Sequence, residues 1–218
     1  MATDDGLTFD TPSADAAATD RDLWAMYAES MPSEEREPPA VILASVAAGN
    51  AVLARARLAA GTVGFAVTHL LERPPAAFLV YLAIAKHYRG GGIGSRLFEY
   101  AWSTAERAAA SRGAELLGIT WEIDDPERVP EGAERQRRLQ RRSFFARLGG
   151  ETLPLAYLQP PVNGPSAVPM LLLWRGKSGR AHPQLVELVR AIYFEKYGAA
   201  NGIPAATLEE LLLRVFAA

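Results

Sequence analysis

The sequence predicts an α/β (α+β) fold, with a mixed central sheet of about seven strands flanked by helices and followed by a helical extension. Three observations lead there. Short apolar runs bounded by Gly, Pro and Asn recur along the chain, as strands do. Between them lie longer stretches with apolar residues at helical spacing. One link, between runs ending near Ala85 and beginning near Leu116, is long enough for a helical crossover and so joins parallel neighbours.

Residues 6–10 read as a short strand ended by Pro12, after which Ser13 or Asp15 can cap a helix. That helix carries Leu23, Trp24, Met26, Tyr27 and Met31 and stops where Pro32, Pro38 and Pro39 forbid continuation. A second helix, 40–48, ends at Gly49-Asn50. Strand-like runs follow at 52–59, 62–70 and 77–85, separated by Ala60-Gly61 and Arg73-Pro74-Pro75. Links this short favour antiparallel neighbours. The crossover helix, 93–112, ends near Gly113 and leads to a strand at 116–124. A polar loop, 124–132, precedes a basic helix, 133–148, closed by Gly149-Gly150. Strands at 152–159 and 168–174 are joined by a loop holding Pro160, Pro161, Gly164 and Pro165. From residue 183 two helices flank a break at 198–204. No internal repeat or long low-complexity segment interrupts this order.

At 218 residues the chain can bury one full core with an appendage left over. Its 23 basic and 25 acidic side chains give a net charge of −2, which speaks against nucleic acid or an anionic membrane as partner. With no cysteine, disulfides, thiolate metal sites and a cysteine acyl-enzyme are excluded. His69, His87 and His182 are isolated and lack metal-ligand spacing, so no metal is expected. No apolar run reaches spanning length, and Asp4 and Asp5 stand where a signal peptide would be basic. A cytoplasmic protein is the expectation.

The segment 80–99, VYLAIAKHYRGGGIGSRLFE, carries the chemistry. A strand runs into glycines and a helix begins at once, an order that builds an anion site from backbone N–H groups and a helix dipole. A dinucleotide fingerprint, G-x-G-x-x-G, fails because Ser95 stands at its last place; a P-loop fails because no lysine follows. What matches is R-x-x-G-x-G, through Arg89, Gly92 and Gly94. This closely resembles the pyrophosphate-binding signature of the GNAT superfamily of acyl-CoA-dependent N-acetyltransferases, and the order of elements is similar over residues 6–176. The resemblance implies a GNAT-like mixed sheet that splays open, a GNAT domain over 1–178, and a helical extension, 179–218, packed on that domain or on a second subunit. A monomer or homodimer is expected.

The resemblance further implies acetyl-CoA (coenzyme A) as cosubstrate, an amine as acceptor, and no metal. Glycines let the backbone approach a diphosphate closely and adopt φ > 0. The implied donors are the N–H groups of Gly91, Gly92, Gly94 and Ser95, within a turn completed by Gly90 and Ile93. Arg89 either adds charge or packs over the turn. The pantetheine arm would pair as an extra strand with Leu82, Ala83 and Ile84, and an N–H near Leu82 or Ala83 would stabilise the oxyanion as the amine attacks the thioester directly.

Two family positions differ here. Where many relatives have a glutamate on the strand before the glycines, this chain has Val80; where many have a tyrosine near the end of the basic helix, it has Phe145. The replacement base is sought in Glu122, near the C-terminal end of its strand, where alternation puts Thr120, Glu122 and Asp124 on one face and Ile119, Trp121 and Ile123 on the other. Glu34 and Glu35, in the proline-bounded loop, come next. Ser143, Tyr157 and Tyr88 are candidate proton donors, although a thiol pKa of about 8.5 also permits unassisted departure. Arg138, Arg141 and Arg142 share a helix face with Arg135 one turn earlier; Arg142 is the candidate for the 3′-phosphate of CoA, against a plainly solvated face. No aromatic platform alternates with these arginines, so RNA is not expected. Trp24, Tyr27, Trp102 and Trp121 read as core, and the apolar stripes of the tail (among them Leu188, Ile192 and Leu208) bury against the domain or another copy. The expected activity is acetylation of a primary amine of a small molecule. A protein N-terminus or lysine, and a CoA-binding regulatory module without catalysis, are the alternatives.

Overall fold

A computed structural model of the chain describes residues 6–217, so Asp4 and Asp5 lie outside the described residues. The described chain opens with β1 (Thr8–Asp10), α1 (Ala14–Ala18), α2 (Arg21–Ser30) and α3 (Pro39–Ala47). β2 (Ala51–Leu58), β3 (Gly61–Glu72) and β4 (Pro75–Ile84) follow as a meander, then α4 (Ile93–Ala110), β5 (Gly118–Asp124) and α5 (Ala133–Arg147). β6 (Glu151–Thr152), β7 (Leu158–Gln159) and β8 (Val168–Gly176) complete the strands. α6 (Leu185–Ala191), a π-helical segment (Ile192–Gly198) and α7 (Ala205–Phe216) end the described chain.

Three expectations needed correction. The first helix is two, because the Thr19 hydroxyl turns back to the Ala16 carbonyl (3.2 Å) and Asp20 starts a new helix by accepting from Leu23 N–H at 3.0 Å. Its cap is Ser13, which accepts from Ala16 N–H at 3.2 Å. The strand expected at 152–159 is two short pieces, β6 and β7, because Pro154 has no N–H to give a ladder. The polar loop after β5 contains a 3₁₀ turn, Pro126–Arg128, started by Asp125 accepting from Glu127 N–H at 2.9 Å.

The sheet runs β1-β2-β3-β4-β5-β8-β6, with β7 beside β8, and the β4–β5 pair alone among these is parallel. The α4 crossover enforces that direction. β4 and β5 pair only from Ala77 to Leu79 against Ile119 to Trp121 and then separate, although β4 runs on to Ile84 and β5 to Asp124. At the parting, the β3–β4 register shifts so that Val67 faces Tyr81 and Thr68 faces Leu79, leaving Val80 without an opposite residue. The result is a β-bulge at the mouth of a V-shaped gap.

Apolar side chains fill both faces. α4 lays Leu97, Phe98, Ala101 and Ala105 against Ala66, Leu79, Ile119 and Trp121. On the other face, Leu23, Met26 and Tyr27 of α2 meet Phe65, Val67, Tyr81 and Ala83. Next to them, Leu188, Ile192, Tyr193 and Leu208 of the C-terminal helices cover Phe78, Leu172 and Trp174, so within the described chain the tail's apolar stripes bury on the sheet. No described helix is long and apolar enough to cross a membrane.

Candidate active site

The gap between β4 and β5 continues into an outer groove of about 600 Å³, lined by Leu82, Ala83, Ile84, Arg89, Gly90, Gly92, Gly94 and Ser95 on one side and by residues of α5 on the other. Ala85 N–H donates to the Val63 carbonyl at 2.9 Å, so alternation turns Ala83 toward β3 and aims the backbone of Leu82 and Ile84 into the gap. Arg89 takes up one of those groups, its Nε donating to the Ile84 carbonyl at 2.8 Å. Of the two roles open to Arg89, packing over the turn is the one seen here.

Gly90 and Gly92 have φ of +84° and +81°, the left-handed region that glycine occupies without strain. A Cβ at either would meet nothing within 4 Å, so the turn stands open. Gly92 precedes the first turn of α4 with no side-chain cap, which leaves that turn's N–H groups free to meet an anion. Across the groove, Arg137, Gln140, Arg141, Phe144 and Arg147 recur at helical spacing. Arg142 lies outside this stripe and does not line the groove; nor do Gly91 and Ile93. Open turn, unpaired strand edge and basic wall together fit the diphosphate, pantetheine arm and phosphate of coenzyme A.

At the groove's inner end, sharing Met31, Leu82, Arg141 and Phe145 with it, is a smaller cavity of about 80 Å³. Glu35, Glu37, Glu122, Tyr81, Gln159, Tyr197 and Arg141 bring polar side chains to it, and Val80, Val162 and Met170 are among its apolar lining. Glu122 is the hub. Tyr157 Oη donates to its Oε1, while Gln159 Nε2 and Tyr197 Oη each donate to its Oε2 at 2.7 Å. Burial pushes its carboxyl above the ordinary carboxylate range, although all three donors and the Lys196 charge pull the other way. A carboxylate offers about four lone-pair positions, so three donors leave roughly one for a ligand.

Beside it lies a pair that sequence reasoning missed. Lys196 Nζ donates to Glu37 Oε2 at 2.6 Å and to Asn201 Oδ1 at 2.9 Å, and Asn201 Nδ2 donates to the same Glu37 oxygen at 2.9 Å. Burial holds the Lys196 ammonium below its ordinary range, with Glu37 acting against that. The Tyr27 hydroxyl donates to the Glu37 carbonyl and the Tyr81 hydroxyl to that of Glu35, both at 3.0 Å, so two tyrosines clamp the loop carrying these glutamates. Burial pushes the Tyr27 phenol up to about 12 and Tyr81 higher still; both stay protonated donors.

The remaining sequence candidates are dispersed. Tyr157 is buried, lines neither cavity, and has burial and the Glu122 charge driving its pKa upward, which suits a fixed donor to Glu122. Ser143 stands exposed on α5 and lines neither cavity. Tyr88 lines the outer groove, and the side chain of Glu34 lies outside those described. Phe145 is buried, its ring 5.0 Å from that of Trp121. Arg138 and Arg141 pair with Asp124 at 3.5 and 3.1 Å, and Arg135 with Glu127 at 2.6 Å, so much of the basic run is engaged within the fold. No group of three or more potential metal ligands exists among the described residues.

A profile of the acetyltransferase (GNAT) family matches residues 17–149, from α1 through the glycine turn to the end of α5. The chain belongs to the GNAT family. No curated protein sequence matches it. Solved structures repeat the GNAT fold at low identity. A GNAT-family protein from Bacteroides thetaiotaomicron is 18% identical, with 90% of this chain and 99% of that one covered at a TM-score of 0.64. An aminoglycoside 6′-N-acetyltransferase complexed with coenzyme A is 17% identical, with 80% and 99% covered at 0.57. The ribosomal-protein-S18-alanine N-acetyltransferase of Escherichia coli is 12% identical, with 82% and 98% covered at 0.52. One acts on a small molecule and one on a protein, so these GNAT relatives share a scaffold and not an acceptor. Membership makes this chain an N-acetyltransferase, in a family that uses acetyl-CoA.

Proposed function

We propose that this GNAT enzyme transfers the acetyl group of acetyl-CoA to a primary amine of a small molecule, with Glu122 as general base. The observation that carries the reading is the Glu122 carboxylate, held by three donors at the inner end of the groove where β4 and β5 part. The Gly90–Ser95 turn and the first turn of α4 would hold the diphosphate, with Arg137, Arg141 and Arg147 opposite. The exposed backbone of Leu82 would receive the pantetheine arm. Acetyl-CoA, when bound, supplies an acetyl group activated as a thioester with a thiol leaving group.

An acceptor ammonium cannot attack until it loses a proton. Glu122, with its pKa raised by burial, is a stronger base than an exposed glutamate, and its remaining lone pair is free to take that proton. Glu35 adds negative charge to the same cavity, which favours a cationic acceptor. A small acceptor is supported by the cavity's size, about 80 Å³.

Two experiments test this. Purified protein is assayed for CoA release over a panel of small amines and amino-terminal peptides. Glu122→Gln is expected to lower turnover on small amines by about 10²–10⁴-fold, and acetylation of peptides alone would overturn the acceptor assignment. Acetyl-CoA is expected to raise the melting temperature of the wild type and not of Gly92→Glu; an equal rise in both would overturn the cosubstrate site.

A further inference from the structure

Tyr197 and Lys196 sit on the π-helical turn Ile192–Gly198, beyond the family match, yet both reach the inner cavity's polar network. The wide turn buries Ile192, Tyr193, Lys196 and Tyr197 together. Such π turns are rare in proteins and are concentrated at functional sites. Tyr197 donates to Glu122 Oε2 at 2.7 Å and accepts from Gln159 Nε2 at 3.3 Å. One residue earlier, Lys196 grips Glu37 and so the loop bearing Glu35. One turn earlier, the Tyr193 hydroxyl donates to the Leu158 carbonyl, next to Gln159. One short segment therefore reaches Glu122 itself, the loop bearing Glu37 and the strand bearing Gln159.

We propose that this C-terminal segment is a positioning element for the base, in which Tyr197 orients the Glu122 carboxylate while Lys196 anchors the acceptor-side loop. The proposal rests on the reading of Glu122 as general base. Tyr197 presents no proton to substrate; it acts through Glu122.

The groups facing Glu122 are Tyr157, Gln159, Tyr193, Tyr197 and Lys196, with Glu35, Glu37 and Arg141 on the cavity wall. Burial alone drives its carboxyl toward the neutral form, and the Tyr197 hydroxyl opposes that. Removing the hydroxyl raises the Glu122 pKa, so the acid limb of kcat/KM must move to higher pH. A merely structural role would lower activity at every pH without moving the limb.

The test uses the full chain and its best amine from the panel. Tyr197→Phe is expected to move the acid limb upward by about one unit, the size set by one hydrogen bond to a charged group. It should lower kcat while leaving KM for acetyl-CoA unchanged, since Tyr197 lines the inner cavity and not the outer groove. Tyr193→Phe removes a hydroxyl from the same turn that bonds to backbone, and is expected to leave the limb in place. If Glu122→Gln is inactive but Tyr197→Phe leaves the limb unmoved, or Tyr193→Phe moves it equally, the positioning role is overturned and the base reading stands. If Glu122→Gln keeps wild-type activity, both are overturned.

Discussion

Replacing Lys196 by Met should cost about 3 kcal/mol of folding stability, while replacing Glu37 and Lys196 together by Met should cost far less. Side-chain exposures of 4% and 2% place the pair out of water, and its 2.6 Å separation makes each charge the other's main solvent. Removing one partner from a buried pair typically costs about 3–5 kcal/mol, because the other charge is stranded. Here the lower end applies, since Asn201 Nδ2 would still donate to Glu37 at 2.9 Å. The Lys196 pKa lies below its ordinary value, so attraction to Glu37 does not fully offset the ammonium's lost hydration. An apolar pair of similar volume is therefore well tolerated. Against total stabilities of roughly 5–15 kcal/mol, the single variant is readily resolved in urea unfolding, read as a midpoint shift at constant slope. The four proteins form a double-mutant cycle. A Lys196→Met cost under about 1 kcal/mol, or a double-variant cost equal to the sum of the singles, would refute this account of the pair.

Three further outcomes are expected. The folded-state pKa of Glu122 lies above its ordinary 4.5, so its contribution to stability is full below that pH and lost as pH rises through the folded value; melting curves should show Glu122→Gln gaining on the wild type from pH 4 upward. Burial, aided by the Lys196 charge, lowers the His69 imidazole from 6.5 to about 3, so its contribution is full above pH 6.5 and fades as pH falls, amounting to about 5 kcal/mol over that span; His69→Gln should flatten the acid slope of stability. Gly150→Ala would put a Cβ 2.5 Å from Trp121 Cζ2 and 3.0 Å from the Phe145 carbonyl oxygen. The overpacking should cost about 1–3 kcal/mol in thermal or urea unfolding.

The groove was legible because its parts are contiguous: strand, glycines and helix start lie within one short segment, and spacing alone separated it from nucleotide loops. Glu122 was legible because period-two alternation names the face of a strand without knowing its neighbours. What surrounds Glu122 was not. Tyr157, Gln159 and Tyr197 reach it from 35, 37 and 75 positions away, and Lys196 meets Glu37 across 159, distances at which no local periodicity operates. Two faint signals existed. Lys196 interrupts an apolar stripe of Ile192, Tyr193 and Tyr197, and Glu37 stands against Pro38-Pro39 in a loop otherwise read for its other glutamates. Helical spacing alone did not say which arginines face the groove: Arg137 and Arg141 line it with Phe144, and Arg142 does not.

The span between Glu37 and Lys196 also sets an order of events during synthesis. A growing chain has made every residue lining the outer groove once Arg147 is added. The acid network waits for Lys196, Tyr197 and Asn201. Until then Glu122 lacks one of its three donors and Glu37 lacks its cation. The nascent protein therefore passes through an interval in which every residue lining the groove exists while the hydrogen-bond network around Glu122 and Glu37 is still incomplete.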